Sequence, residues 1–312
     1  MISTTQSKKH IFPKNILKWV GGKSQILSNL LSNFPIQIHN YYEPFLGGGS
    51  VLLGLLTLIR SNSIKLTGNI YASDANEPLI YVYKNIQTRH MELYDYLQTI
   101  IKDFNECGNG PINRKPQTIK EAKINKENYY YWIRNKYNKL SDSDKKEIGG
   151  SAMFIFLNKT CFRGVFRIGP NGFNVPYGNY KNPEIIHIEH LTDIHNLIQN
   201  VIFESCDFNQ VFGRVKMGDF VYLDPPYAPE TTTSFVGYTK GGFNLGRHNE
   251  LFELIHSLTN QNIKATMSNS DVQLIRDNFK TDKYRINTIV CKRSINSNKP
   301  QSKTMEVIIN NY

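Results

Sequence analysis

Asp224-Pro225-Pro226-Tyr227 follows directly on the apolar run 220–223, and its residue types suit the activation of a weak amine. An amine conjugated to a nucleobase ring, such as that of adenine, is a poor nucleophile because its lone pair is delocalised. A catalyst must accept hydrogen bonds from its hydrogens and draw it toward a pyramidal geometry. The Asp224 carboxylate and the Pro225 carbonyl supply the acceptors. Pro225 and Pro226 fix φ and remove backbone donors, which keeps the segment extended with oxygens facing the amine. Tyr227 adds a stacking face. Zinc deamination, the other common chemistry at a flipped base, needs a C-x-x-C pair, and Cys107, Cys161, Cys206 and Cys291 form none.

A second group of residues reads as a nucleoside site. Gly47, Gly48 and Gly49 stand where a first strand would turn into a helix and would let an adenosyl group approach the backbone. Asp74 ends the next strand signal, where a carboxylate can accept hydrogen bonds from both ribose hydroxyls. A tight turn and a helix-capping aspartate would use the same residue types. Gly22-Lys23-Ser24 resembles the end of a phosphate-binding loop, but the glycine required five residues earlier is replaced by Leu17, which argues against triphosphate hydrolysis. Trp19 and Lys23 suit an adenine face and a carboxylate. If the electrophile is a sulfonium methyl group, no metal or covalent protein intermediate is needed, and positioning carries much of the rate.

The elements that must hold these residues can be read from periodicity. Residues 40–43 form a strand running into the glycines, and 51–59 a buried helix. Residues 69–73 form a second strand, and 78–85 a helix with Pro78 in its first turn. Two such units predict a parallel sheet and an α/β core. From 87 to 200 the pattern changes to charged, aromatic-rich helices such as 127–140, followed by a glycine- and arginine-bearing stretch at 157–181. Strand signals return at 220–223 and 263–267 around a helix at 249–258. Residues 285–291 and 305–310 read as an antiparallel hairpin at one edge, joined by a polar loop. The expectation is a methyltransferase-like catalytic core at 10–86 and 201–312, split by a mainly helical target-recognition domain at 87–200.

The 312 residues carry 37 Lys and Arg against 26 Asp and Glu, a net charge of +11 that favours a polyanionic partner. Four scattered cysteines argue against a disulfide framework and fit a reducing cytosol. Pro13, Lys14 and Asn15 interrupt the N-terminal region before any apolar run develops, so neither a signal peptide nor a membrane span is expected.

With these motifs in order, the chain resembles the Dam-type DNA adenine methyltransferases over nearly its whole length. The residues carrying the likeness are Leu17-Lys18-Trp19-Val20-Gly21-Gly22-Lys23, Glu43-Pro44-Phe45-Leu46-Gly47-Gly48-Gly49-Ser50, Ala72-Ser73-Asp74-Ala75-Asn76 and the Asp-Pro-Pro-Tyr tetrapeptide. The resemblance implies a Rossmann-like fold and S-adenosylmethionine as methyl donor. It implies cofactor contacts from Trp19, Gly22, Lys23, Glu43, Phe45, Gly47, Gly49, Ser50, Asp74, Asp207 and Asp224. It makes Asp224, Pro225, Pro226 and Tyr227 catalytic, with Asp224 holding the target amine and Tyr227 stacking on the flipped base.

The segments Leu157-Asn158-Lys159-Thr160-Cys161-Phe162-Arg163-Gly164 and Gly172-Phe173-Asn174-Val175-Pro176-Tyr177-Gly178 are similar to the family's target-recognition region. By that likeness DNA contacts come from Phe162, Arg163, Val165, Arg167 and Pro176, and from Arg293, Ser294, Asn296 and Asn298 of a C-terminal loop. Arg167 would read the first guanine of GATC through a major-groove contact, and Phe162 would wedge into the duplex. The chain departs from the enterobacterial pattern in having Phe162 for Tyr and Arg163 for Asn, so CATG and longer ATC-containing sites compete with GATC. The expected partner is double-stranded DNA, without a membrane. A partner restriction endonuclease is compatible with the class, as is a monomer or weak dimer in the cytoplasm of a prokaryote or virus-infected cell. Methyl transfer to cytosine or to RNA adenine would use the same acceptor geometry, and a silent DNA-binding subunit would require a damaged motif that is not visible.

Overall fold

The computed structural model describes residues 10–228, 242–280, 282–292 and 303–312. Its main sheet contains β1 Tyr41–Glu43, β2 Ile70–Asp74, β3 Val201–Ser205, β4 Phe220–Leu223, β5 Lys264–Ser270, β6 Arg285–Lys292 and β7 Lys303–Asn310. The spatial order is β6-β7-β5-β4-β1-β2-β3. Every neighbouring pair is parallel except those made by β7, which runs antiparallel to both β5 and β6. The fold is therefore mixed α/β around a mostly parallel sheet, and the anticipated edge hairpin is present.

The central strands are buried on both faces, and their alternate side chains enter different cores. Tyr41, Phe220 and Tyr222 join one apolar cluster, whereas Tyr42, Val221 and Leu223 join the other. The first is covered by α1 Ser50–Arg60 and α2 Glu77–Asn105. The second receives Leu251, Phe252, Ile255 and Leu258 from the later helix Leu245–Asn260.

Local chemistry sets several element ends. Asn76 caps α2 by accepting from the Leu79 N–H, with Pro78 in the first turn. The strand expected at 263–267 continues to Ser270, because Ser268, Asn269 and Ser270 pair with β7 although their side chains break the apolar pattern. The helix expected at 249–258 begins earlier, at Leu245, where Asn244 provides the cap.

Residues 87–200 contain the rest of α2, α3 Lys126–Lys139, α4 Ile148–Thr160, α5 Ile188–Leu197 and a short hairpin of Ile168–Gly169 with Gly172–Phe173. The expected border at 86/87 falls inside α2, close to Arg89, whose φ of −140° and ψ of 38° leave helical geometry. Asn85 binds across to the Ser151 hydroxyl at 2.8 Å and the Lys146 carbonyl at 2.9 Å. The apolar cluster runs without a break from Ile70 and Phe220 to Leu93, Tyr129 and Phe156. Among the described residues, no helix is long and apolar enough to cross a membrane.

Candidate active site

In an open parallel sheet, a crevice forms at the carboxyl ends of the strands where successive connections diverge. From β1 the chain proceeds to β2 and β3 on one side, then returns to place β4 on the other side of β1. The glycine loop leaves β1 and Asp224 leaves β4, so the topology brings the two motifs face to face.

The glycine loop needs its glycines. Gly47 has φ +48° and Gly49 φ +70°; a Cβ on Gly47 would lie 2.7 Å from Trp19 Nε1, and one on Gly49 would lie 2.7 Å from the Tyr83 hydroxyl. The Gly47 N–H donates to Asp74 Oδ2 at 3.0 Å and the Asn76 N–H to Oδ1 at 2.9 Å. Burial raises the Asp74 pKa, opposed by these two donors.

Lys23 is the link across the crevice. Its side chain is 2% exposed, and its Nζ lies 2.7 Å from Asp224 Oδ1. The ammonium also donates to the Gly21 carbonyl and stands 4.8 Å from the centre of the Tyr227 ring. Its backbone N–H donates to Ser50 Oγ at 3.2 Å, which fixes the Gly22-Lys23 turn against the start of α1. Burial pushes the Asp224 pKa up to about 6 against the opposing Lys23 charge, with Glu306 adding to the rise. Glu43 is pushed up to about 8, again by burial; the Tyr41 hydroxyl, donating at 2.8 Å, opposes this, Asp224 adds to it and Lys23 opposes it. Lys23 and Asp224 thus face each other as an ion pair, while burial favours the protonated form of Glu43.

The tetrapeptide is gripped from β5 and β7. The Tyr227 hydroxyl donates to Glu306 Oε2 at 2.7 Å. The Ala228 N–H donates to Asn269 Oδ1 at 3.0 Å, and Ser270 Oγ donates to the Ala228 carbonyl at 2.7 Å. Pro225 is buried and Pro226 partly so, leaving Asp224 and Tyr227 as the reactive functions of the segment.

The surroundings suit an adenosyl group. Phe45 lies 5.4 Å from Phe208 and 5.9 Å from Phe243, ring centre to ring centre, a partly exposed ring on a small aromatic platform whose other two rings are buried. Asp207 stands beside it, half exposed, accepting from the Asn209 N–H at 3.1 Å and ion-paired to Arg247. A partly exposed carboxylate at an aromatic platform can take an exocyclic amine, and Asp74 beside the glycine loop can take a ribose diol. Trp19 lies on Gly47 and Gly48 and stacks on Phe166, with centres 5.9 Å apart at 20°, so it packs on the glycine loop instead of joining that platform.

Of the residues expected to contact DNA between Phe162 and Pro176, Phe162, Arg167 and Pro176 are exposed and Arg163 and Val165 are partly buried. Phe162 is 48% exposed, with the Arg163 guanidinium 5.2 Å from its ring centre. Arg163 has φ +56°, and its N–H donates to the Tyr180 hydroxyl at 2.9 Å. Arg167 is exposed, with Nε donating to Asn174 Oδ1 at 2.7 Å. Val165 is partly buried, and the carbonyl of exposed Pro176 accepts from the Phe162 N–H at 2.9 Å. This region is tied to the Lys18–Lys23 segment by Asn158, which exchanges two 2.8 Å hydrogen bonds with the Lys18 backbone. Arg293, Ser294, Asn296 and Asn298 lie outside the described residues.

Tyr83, Phe166, Arg247, Asn269 and Glu306 were not singled out from the sequence. Each meets its motif partner only through tertiary packing, and none belongs to a local pattern that would have marked it.

A family profile described as D12 class N6 adenine-specific DNA methyltransferase matches residues 19–295. The chain is similar to the type II methyltransferase M.MjaIII of Methanocaldococcus jannaschii, with 35% identity over 96% of this chain and 99% of that protein. It is 28% identical to type II methyltransferase M1.LlaDCHI of Lactococcus lactis subsp. cremoris over 98% of each chain. It is 29% identical to the DNA adenine methylase of Escherichia coli over 95% of this chain and 94% of that one.

Proposed function

The chain belongs to the D12 class of N6 adenine-specific DNA methyltransferases, and on that premise we propose that it methylates an adenine flipped out of double-stranded DNA within GATC, using the crevice between the glycine loop and Asp224. The class acts on DNA with S-adenosylmethionine as its methyl donor, which supplies an electrophilic methyl group on a sulfonium. The observation that supports the site assignment is the meeting of Lys23 and Asp224 beside the glycine loop.

In this reading the Phe45 platform, Asp207, Asp74 and the loop at Gly47–49 hold the adenosyl moiety. Lys23, with Trp19, Gly22, Glu43 and Ser50 around it, lines the amino-acid end. Asp224 and the Pro225 carbonyl accept from the two hydrogens of the target amine and direct its lone pair toward the methyl group. Tyr227 stacks on the base. The ion pair orients Asp224 until the amine takes its place as partner. Proton release follows methyl transfer, when the new ammonium is strongly acidic.

Residues 87–200 form the inserted recognition domain of this proposal. Arg167 and Phe162 read and wedge, while Arg163, Val165 and Pro176 shape that surface. Arg293, Ser294, Asn296 and Asn298 join it from the C-terminal loop. The enzyme acts as a monomer or weak dimer, because each strand of a palindrome can be methylated in a separate event. A restriction endonuclease cutting the same site is compatible with this reading.

Mapping every methylated adenine on plasmid DNA after incubation with the protein and S-adenosylmethionine tests this function. Methylation confined to GATC is expected. Another palindrome, such as CATG, would overturn the specificity, and unmethylated plasmid would overturn the assignment of the site.

A further inference from the structure

We infer that Glu306 is a positioning residue for methyl transfer, holding the Tyr227 hydroxyl so that the ring lies where the flipped adenine must stack. The inference rests on the reading of Tyr227 as the stacking residue. Prolines 225 and 226 fix the backbone leading to Tyr227, but not the torsions of its side chain. Those are set by the 2.7 Å bond to Glu306 Oε2; among the described residues no other group hydrogen-bonds this hydroxyl. The acceptor is itself well anchored. Glu306 lies within β7, paired with Ile289 of β6 and Ser270 of β5, so its side chain starts from a rung fixed on both sides. Ser270 and Asn269 of the same strand pair hold the backbone just beyond Tyr227.

The choice of a carboxylate is informative. Glu306 carries negative charge toward Asp224, where a second anion is unfavourable, and it contributes to the raised pKa of that residue. A neutral amide would accept a hydrogen bond without this repulsion. The carboxylate holds a phenol more firmly, since a hydrogen bond to a charged acceptor is shorter and stronger than a neutral one. β7 pairs with β6 along the whole of both strands, so Glu306 ties the ring position to that hairpin.

The test compares E306A, E306Q, Y227F, Y227A and the E306A/Y227F double variant in the full-length protein. Rates are measured on a duplex carrying the adenine identified by methylation mapping, and base extrusion on the same duplex with 2-aminopurine, which lacks the 6-amino group, in place of that adenine. Loss of one hydrogen bond to a charged group predicts that E306A and Y227F each lower kcat by about tenfold, with KM for DNA changed by less than about twofold. The double variant should be no slower than either single one, and E306Q, which keeps a weaker acceptor, should fall between E306A and the unsubstituted protein. The 2-aminopurine signal should change in E306A in the same direction as in Y227A. A normal kcat in E306A beside a crippled Y227A would overturn the role of Glu306 alone. An unaffected Y227A would overturn the stacking reading and the inference with it. Additive losses in the double variant, or a slow E306A explained by a lowered melting temperature and not rescued by Gln, would also overturn it.

Discussion

Lys23 and Asp224 approach from opposite sides of the crevice, with Nζ 2.7 Å from Oδ1 and the lysine side chain almost fully removed from solvent. The contact joins the N-terminal motif to the catalytic tetrapeptide, and a buried lysine without it would be left uncompensated. It also holds the Asp224 carboxylate, the proposed acceptor, in one orientation at the mouth of the glycine loop.

Replacing Asp224 by Asn keeps the shape but removes the charged acceptor and leaves Lys23 without its partner. Methyl transfer should fall by at least about a hundredfold, the scale of losing one pre-organised transition-state hydrogen bond. Incorporation of labelled methyl groups into DNA measures this, alongside circular dichroism to confirm the fold. Substantial remaining activity would remove Asp224 from the mechanism.

In the proposed role Asp224 accepts best when ionised, since protonation takes up part of its acceptor capacity, and its pKa is pushed up to about 6 by burial against the opposing charge of Lys23. The rate should therefore hold above that value and decline as pH falls through it. Lys23→Gln removes the opposing charge, so the Asp224 pKa rises further and the acid limb moves to higher pH. Profiles of kcat/KM for DNA over about pH 5 to 9, at saturating cofactor, decide the matter. A limb that stays in place in K23Q would contradict the coupling.

Gly49 has φ +70°, and a Cβ there would meet the Tyr83 hydroxyl at 2.7 Å. Gly49→Ala should lower stability by at least about 1 kcal/mol, from backbone strain and the displaced tyrosine together. Thermal melting detects the loss. S-adenosylhomocysteine binding, followed by calorimetry, should weaken as well.

Arg167 is exposed and aimed by Asn174, so truncation touches no core. Arg167→Ala should cost about 1 to 3 kcal/mol of discrimination at the first base pair of the site while melting at the same temperature. Competition between GATC duplexes and duplexes altered at that pair gives the number. Unchanged discrimination would assign the arginine to phosphate contact.

Phe162 exposes 48% of its surface, which a core aromatic would not do. Phe162→Ala should change stability by less than about 0.5 kcal/mol, as surface substitutions do. The rise of 2-aminopurine fluorescence at the target position should nevertheless fall. A large drop in melting temperature with normal base extrusion would make Phe162 a packing residue.

Much of this protein could be read from its chain because the relevant signals are local. Gly47–49 and Asp74 mark strand ends, Asp224 to Tyr227 encode an acceptor and a rigid backbone in four consecutive positions, and the alternation of apolar residues outlines the parallel strands. The strand at 264–270 and the helix from Leu245 were read short, because Ser268 and Asn269 are polar yet buried and Asn244 caps the helix through its side chain. Local sequence could not show which distant groups would complete the site. Lys23 meets Asp224, Tyr83 meets Gly49, Asn158 clamps Lys18 and Glu306 holds Tyr227 only after the sheet has ordered its strands as β6-β7-β5-β4-β1-β2-β3. The sequence by itself determined which acceptors, glycines and prolines are on hand, because these act through their own covalent structure. Tertiary structure alone decided their partners, because a hydrogen bond or ion pair depends on distances that strand order sets and chain separation does not.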